Sequence, residues 1–290
     1  MDTNSILKKV RKIEIRTKGL TKDIFSGEYH SAFKGRGMSF SEVKEYNYGD
    51  DVRNIDWNVT ARTGAPHLKI YEEERELTVM LLIDVSASTL FGTLDQPKNE
   101  IITELAAVLA FSAVSNNDKV GAIFFSSKIE KYLPPKKGKQ AILRIIRELI
   151  TIEPLAQGTD LTIAFDYLNN IQKKRSIAFV LSDFEGGDFQ TALSIASKRH
   201  DITGIKIWDI RERDLPDVGI IQAIDPETNQ QQWIDTSDRL VRARYESRFK
   251  KSKVRYERTF ALAKAGQLKI ATDEDYIKSL YKYFKSRSKR

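Results

Sequence analysis

From residue 78 onward, short apolar runs alternate with longer amphipathic stretches, and this alternation limits the chain to one class of fold. "TVMLLID" (78–84), "VGAIFFS" (120–126), "SIAFVLSD" (176–183) and "ITGIKIWD" (202–209) read as strands buried on both faces. Between them, "KNEIITELAAVLAFSAVSNN", "GKQAILRIIRELI", "DLTIAFDYLNNIQKK" and "FQTALSIASKRH" read as helices, the first apolar on most sides and therefore packed deep. Strands separated by helices run parallel and are covered on both faces. The expectation is an α/β fold: a doubly wound open sheet with helices on both faces.

The texture before residue 78 is different. "KGRGMSFSEVKEYNYGDDVRNIDWNVTARTGAPHLKIYEEERE" is dense in glycine, aromatic and charged residues with little helical periodicity, which predicts a small β-rich subdomain of short strands and turns. The domain division expected is therefore 1–76 and 77–290, with a separate helix possible in the first twenty residues. Later in the chain, "IIQAID" and "QQWID" predict a hairpin around "PETNQ". "TSDRL" then offers N-cap residues for a long basic helix.

The formal charge of +8 comes largely from that helix, "RLVRARYESRFKKSKVRYER" (239–258), and from the closing "KYFKSRSKR". Leu240, Tyr245, Phe249 and Tyr256 recur at one-face spacing, so the cations read first as a solvated face over the core. Binding of phosphates or of an acidic partner is the alternative. The sequence holds no cysteine and three histidines, His30, His67 and His200, which excludes disulfides, thiolate zinc sites and iron–sulfur clusters. Any metal would be held by oxygen.

Oxygen is what three chain segments offer. In a doubly wound sheet, ligands bind beyond the carboxyl ends of the strands, where the strand order reverses. Asp84, Ser86 and Ser88 follow the first strand in "LLIDVSAST", Asp183 closes "SIAFVLSDF", and Thr159 stands in the glycine-containing loop "AQGTDLT" before a helix. Together these are two carboxylates and three hydroxyls, a set suited to Mg²⁺, with Mn²⁺ or Ca²⁺ as alternatives. Two acids leave a divalent ion near neutrality and able to accept a further carboxylate.

The D-x-S-x-S string, the later threonine and the second aspartate resemble the metal-ion-dependent adhesion site of von Willebrand factor type A domains. The resemblance implies that Asp84 and Asp183 sit on neighbouring strands. It also implies that Ser86, Ser88 and Thr159 are direct or near-direct ligands, and that a partner's acidic side chain completes the shell. The string around Gly49, Asp50, Asp51, Arg53, Ile55, Asp56, Trp57, Ala61 and Arg62 is similar to the signature of the bacterial family called domain of unknown function 58. That resemblance implies an adaptor for a MoxR-type AAA+ ATPase acting on a client protein. Within the string, Arg53 and Arg62 could pair with Asp50, Asp51 or Asp56 around Trp57 as an apolar anchor; the competing reading is a partner-contact surface. Gly35 and Gly37 could form an anion-binding turn, but no G-K-[ST] follows, so no P-loop is expected.

Catalysis is not the expectation. A serine nucleophile needs a positioned base, and no histidine lies within the motif. An aspartyl phosphatase would carry a second acid where Ser86 stands, and a two-metal nuclease needs more carboxylates. A non-enzymatic, metal-dependent binding module leads; a metal-dependent hydrolase and a nucleic-acid binder are the alternatives. No apolar run approaches the ~20 residues that span a bilayer, and the first twenty residues lack the apolar centre of a secretory signal. A cytoplasmic location without membrane insertion is expected.

Overall fold

The computed structural model describes residues 38–73, 77–92, 97–153, 158–224 and 230–288. The possible helix in the first twenty residues, Gly35, Gly37 and His30 lie outside them. Six strands form the central sheet: β3 (Thr78–Asp84), β4 (Lys119–Phe125), β5 (Ile129–Lys136), β6 (Ile177–Ser182), β7 (Asp201–Trp208) and β10 (Gly266–Ala271). Their order is β10-β7-β6-β3-β4-β5, parallel except for the antiparallel edge strand β5. The chain winds outward from β3 in both directions, so the switch point lies between β3 and β6. This is the α/β open sheet that the alternation predicts.

Alternation within each strand divides the core. Val79, Leu81 and Ile83 face one layer, built from α2 (Lys98–Ser115), α3 (Lys139–Thr151) and α8 (Tyr276–Ser288). Met80 and Leu82 face the other, built from α4 (Leu161–Ile171), α5 (Gln190–Arg199) and α7 (Arg239–Leu262). The β3 residues 79–83 are wholly excluded from solvent. Each such side chain contributes about 1.5–3 kcal/mol relative to exposure, so β3 anchors whatever follows it. Helix α2 is buried from Ile101 to Ala113, as its all-round apolar sequence predicts.

Outside the central sheet, β1 (Met38–Glu45) pairs antiparallel with β2 (His67–Glu73), and β8 (Ile220–Ile224) with β9 (Gln231–Asp235) in the expected hairpin. A short helix, α1 (Trp57–Thr63), interrupts the first pair where only strands and turns are expected. Its signals are local. Asp56 caps it by accepting from Asn58 N and Val59 N, and Gly64 ends it at φ 74°, a left-handed position that glycine takes without strain. The edge strands β5 and β10 are also absent from the sequence expectation. β5 carries Pro134 and Pro135 with interspersed charge, and β10 is six residues with Lys269 near its centre, so neither presents a continuous apolar run.

Candidate functional site at the carboxyl edge of the sheet

Asp84 is the last residue of β3 and is 1% exposed. Both of its oxygens are oriented by neighbours. Oδ1 accepts from the Ser86 backbone N–H at 2.9 Å, and Oδ2 from the Ser182 hydroxyl, at the end of β6, at 2.6 Å. Ser86 then opens a 3₁₀ turn (Ala87–Leu90) locked by the Thr89 hydroxyl on the Ser86 carbonyl at 2.7 Å. That turn brings the Ser86 and Ser88 hydroxyl oxygens to 3.0 Å of each other.

Across the switch point, Asp183 follows β6 directly and is 2% exposed. Its Oδ1 accepts from Glu185 N at 3.1 Å and its Oδ2 from the Lys98 ammonium at 2.9 Å. The next residue, Phe184, holds φ 54°, a conformation costly for a large side chain. Tertiary packing imposes it: the Phe184 ring is set among Phe189, Tyr256 and Phe260, with centroids 4.9–5.9 Å away, and its N–H bonds the Ser182 hydroxyl at 2.9 Å. Ser182 thereby links Asp84 to the turn that presents Asp183.

Thr159 lies on a loop that joins this edge. The following N–H, of Asp160, donates to Ser126 O beyond β4 at 2.9 Å, and a Cβ placed on Gly186 would stand 3.1 Å from the Thr159 carbonyl. Asp160 caps α4 through Thr162 N, which fixes where the loop ends. Asp84, Ser86, Ser88 and Asp183 therefore share one corner of the sheet. The Thr159 backbone sits against the Asp183–Gly186 turn.

Three further polar residues at this corner have no counterpart in the sequence expectation. Lys98, the first residue of α2, is 1% exposed and reaches both Asp183 and, at 2.5 Å, Glu212 Oε1. Glu212 belongs to the one-turn helix α6 (Ile210–Arg213), where it completes a capping box with Asp209. Lys206, in β7 and 2% exposed, donates to the Asp183 carbonyl and to Glu185 Oε1 at 3.0 Å. A lysine opening a helix reads as a solvated end, and nothing in the sequence around Lys98 marks it as internal.

The electrostatics are uneven. Burial, then the neighbouring Asp183 charge, pushes the Asp84 carboxyl up to about 7. Burial acts the same way on Asp183, but Lys98 outweighs it and holds that carboxyl below its ordinary value. For Lys98, burial opposes the charge, while Asp183 and Glu212 raise the ammonium above lysine's ordinary value. Among the described residues no cation pairs with Asp84. With all groups ionised, Asp84, Asp183, Glu212 and Glu185 carry four negative charges against two on Lys98 and Lys206, a net deficit of two.

Those residues fit a hard cation. Adjacent oxygens around Mg²⁺, each at about 2.1 Å, are about 3 Å apart, which is the spacing of the Ser86 and Ser88 hydroxyls. Among the described residues no three His, Cys, Asp or Glu side chains gather on one point, so a metal here depends on the hydroxyls. Of the histidines, His200 bonds Ser176 at the opposite, amino edge of the sheet, and His67 opens β2. Neither is placed to activate Ser86 or Ser88.

Helix α7 walls one side of the corner. At 24 residues it is about 36 Å long, well beyond the reach of the strands it covers. It runs antiparallel to β7: Tyr256 OH bonds Gly204 O at 2.9 Å, and Phe249 meets Trp208 at the strand's end with ring centroids 5.0 Å apart. The residues before Phe249 therefore extend past the carboxyl edge. Arg244, Arg248, Lys251, Arg255 and Arg258, all exposed, follow a 4-3-4-3 spacing along one flank. Arg255 reaches the Phe184 carbonyl at 3.3 Å, and Ser252 bonds Glu185. The basic stripe thus borders the corner that holds Asp84 and Asp183.

The signature string around Asp50 and Asp51 forms a surface. Asp50 pairs with Lys44 at 3.0 Å and Asp51 with Arg53 at 2.7 Å, where Arg53 holds the Asp51 carboxyl down at about 2. Asp56 is spent on the α1 cap, Gly49 makes the turn before Asp50 at φ 103°, and Arg62 is exposed. Trp57 is 70% exposed and does not anchor a small core. It is the first residue of α1, and Tyr48 and Val52 are exposed beside it in sequence.

The sequence profile of the family described as "Protein of unknown function DUF58" matches residues 42–255. The chain belongs to this family. An uncharacterised protein of Mycobacterium tuberculosis is 28% identical over 290 residues, 99% of this chain and 91% of the relative. Among solved structures, the conserved hypothetical protein BatB of Bacteroides thetaiotaomicron aligns with a TM-score of 0.46 at 16% identity, over 74% of this chain and all of that one. An aerotolerance-related membrane protein of Bacteroides fragilis aligns with a TM-score of 0.47 at 15% identity, over 72% and 99%. In the present chain, no helix among the described residues is long and apolar enough to cross a membrane.

Proposed function

We propose that this protein is a non-enzymatic, divalent-metal-dependent protein-interaction module, and that it serves as an adaptor through which a MoxR-type AAA+ ATPase engages a client. The carrying observation is Asp84, a buried carboxylate at the switch point, uncompensated by any cation among the described residues and adjacent to two serine hydroxyls 3.0 Å apart. Asp84, Ser86 and Ser88 would hold the ion, with Thr159 and Asp183 completing its surroundings. Mg²⁺ suits this hard oxygen set, and Mn²⁺ or Ca²⁺ would use the same groups. The bound ion supplies a coordination position for an incoming carboxylate. The protein's own share is to orient Asp84 through the Ser86 N–H and the Ser182 hydroxyl, and to aim the two hydroxyls by the 3₁₀ turn.

The basic stripe of α7 favours an acidic partner over an independent nucleic-acid function, because it borders the same corner instead of forming a separate face. A segment that gives one carboxylate to the metal would meet Arg244, Arg248 and Lys251 with its remaining acids. Pull-down of the ATPase by wild type and Asp84→Ala, each in Mg²⁺ and in EDTA, tests the proposal. Recovery by wild type in Mg²⁺ alone is expected. Equal recovery in all four conditions would show that no metal gates the interaction.

A further inference from the structure

Lys98 occupies a position that three physical terms oppose. A cation in the first turn of an 18-residue helix faces the positive end of the helix dipole, an unfavourable placement of about 0.3–1 kcal/mol. Lysine also loses more side-chain freedom on burial than most residues and is almost never found fully inside unless it is paired. Finally, at 1% exposure the ammonium has surrendered its water. It is retained by two carboxylates from two other parts of the chain, Asp183 after β6 at 2.9 Å and Glu212 in α6 at 2.5 Å.

The consequence for Asp183 is geometric. One oxygen receives the ammonium and the other the Glu185 N–H. Asp84, on the neighbouring strand, has no ammonium partner among the described residues; its oxygens accept from Ser86 N and the Ser182 hydroxyl. Resting on the metal-binding reading above, we propose that Lys98 is a built-in cation of this corner. It occupies the Asp183 oxygen that faces it, limits an external metal's direct contacts to Asp84, Ser86 and Ser88 with Asp183 in its outer surroundings, and keeps that metal weakly held and exchangeable. Glu212 works against it. By sharing the ammonium, Glu212 returns negative charge to the corner, and because it also caps α6, it ties the site's charge balance to the helix that packs under α7.

A merely structural salt bridge and a built-in cation differ in how substitutions move metal affinity. Titration of Mg²⁺ and of Mn²⁺ into wild type, Lys98→Met, Lys98→Arg and Glu212→Gln by calorimetry separates them, with melting temperatures recorded in EDTA and in metal. Removing the ammonium should tighten metal binding about tenfold or more, since a unit charge within several ångströms of a divalent ion is only partly screened there. Glu212→Gln should weaken binding, and Lys98→Arg should restore wild-type affinity. In EDTA, Lys98→Met should melt below wild type, and metal should raise its melting temperature by more than it raises the wild type's.

Equal affinities in wild type, Lys98→Met and Glu212→Gln, or weaker binding by Lys98→Met, would overturn the proposal while leaving the metal site in place. No calorimetric binding by wild type or any variant would remove the metal-binding reading itself, and this inference with it. If Lys98→Met does not fold, wild-type affinity in Lys98→Arg with weakened affinity in Glu212→Gln supports the proposal, and wild-type or tighter binding by Glu212→Gln overturns it.

Discussion

Replacing Asp84 with asparagine turns the corner's electrostatics into a stability measurement. A carboxyl raised from 3.8 to about 7 on folding binds a proton in the native state that the unfolded chain has already released. Stability therefore falls as pH rises from about 4 to 7 and is lowest above it, the reverse of a salt-bridged acid. A shift of that size corresponds to a destabilisation on the order of 4 kcal/mol at pH 8 without metal. Asparagine cannot ionise. Its carbonyl can keep the Ser86 N–H, and its amide can donate to the Ser182 oxygen; the rearranged hydrogen bond costs about 1 kcal/mol.

In EDTA at pH 8, Asp84→Asn should accordingly be more stable than wild type by about 3 kcal/mol, whereas at pH 5 the two should differ by much less. Urea denaturation at the two pH values reads both numbers. Glu212, raised by burial above its ordinary value of 4.5, also lowers stability as pH rises through the window, but it does so in both proteins, and the comparison rests on their difference. Asp183 is held low by Lys98, so its contribution is lost only below about pH 4, outside the window. His200, pushed down to about 4 by burial and the nearby Arg199 and Arg175, lowers stability as pH falls from 6.5, equally in both proteins. Adding Mg²⁺ should reverse the order. A metal at about a thousand times its Kd stabilises wild type by about 4.1 kcal/mol, more than the variant's advantage, and the variant by nothing. If wild type loses no ground to Asp84→Asn between pH 5 and pH 8 in EDTA, Asp84 is compensated from within the protein and the corner has no need of a cation.

Charge reversal at Arg244→Glu, Arg248→Glu and Lys251→Glu together should abolish binding of an acidic partner segment while leaving Mg²⁺ affinity, read by calorimetry, within a few-fold of wild type. A gel-shift titration of the same variants with single-stranded DNA across salt checks the competing reading, for which a steep salt dependence would be the sign. Gly186→Ala places a methyl 3.1 Å from the Thr159 carbonyl. It should weaken metal binding by displacing that loop at a stability cost of about 1–2 kcal/mol, seen by paired calorimetry and thermal melts. Trp57→Ala should change the melting temperature by less than the experimental spread, because the ring is largely in solvent, and reduce recovery of the ATPase in pull-down if the string around it is a contact surface.

The parts of this protein that can be read in advance are those where one residue type has one physical use. A run such as "TVMLLID" has no stable place but the middle of a sheet, and β3 occupies those residues. The four buried parallel strands and the helices between them follow from the same fact. Edge strands escape because solvent on one side relaxes the requirement: β5 admits two prolines, and β10 admits Lys269. The helix α1 escapes for the opposite reason, since its information lies in the pair Asp56 and Gly64 rather than in apolar spacing. Trp57 misleads because an aromatic in a charged string is assigned to a core by default, and here it stands in water.

At the corner itself, the hydroxyls and aspartates are visible in sequence because each follows a recognisable strand, whereas the groups that decide their charge are not. Lys98, Glu212 and Lys206 come from the start of a helix, a single-turn helix and the middle of a strand, and they meet the acids only through the sheet's strand order. A local pattern reports which atoms could bind a cation. How strongly they need one is a sum over neighbours separated by 85 and 114 residues along the chain, and at Asp183 that sum is already balanced while at Asp84 it is not. The asymmetry between two aspartates that look equivalent in sequence is what makes the corner selective. One carboxylate is reserved by the protein's own ammonium, the other is left to an ion from solution, and the distinction depends on a lysine that no motif contains.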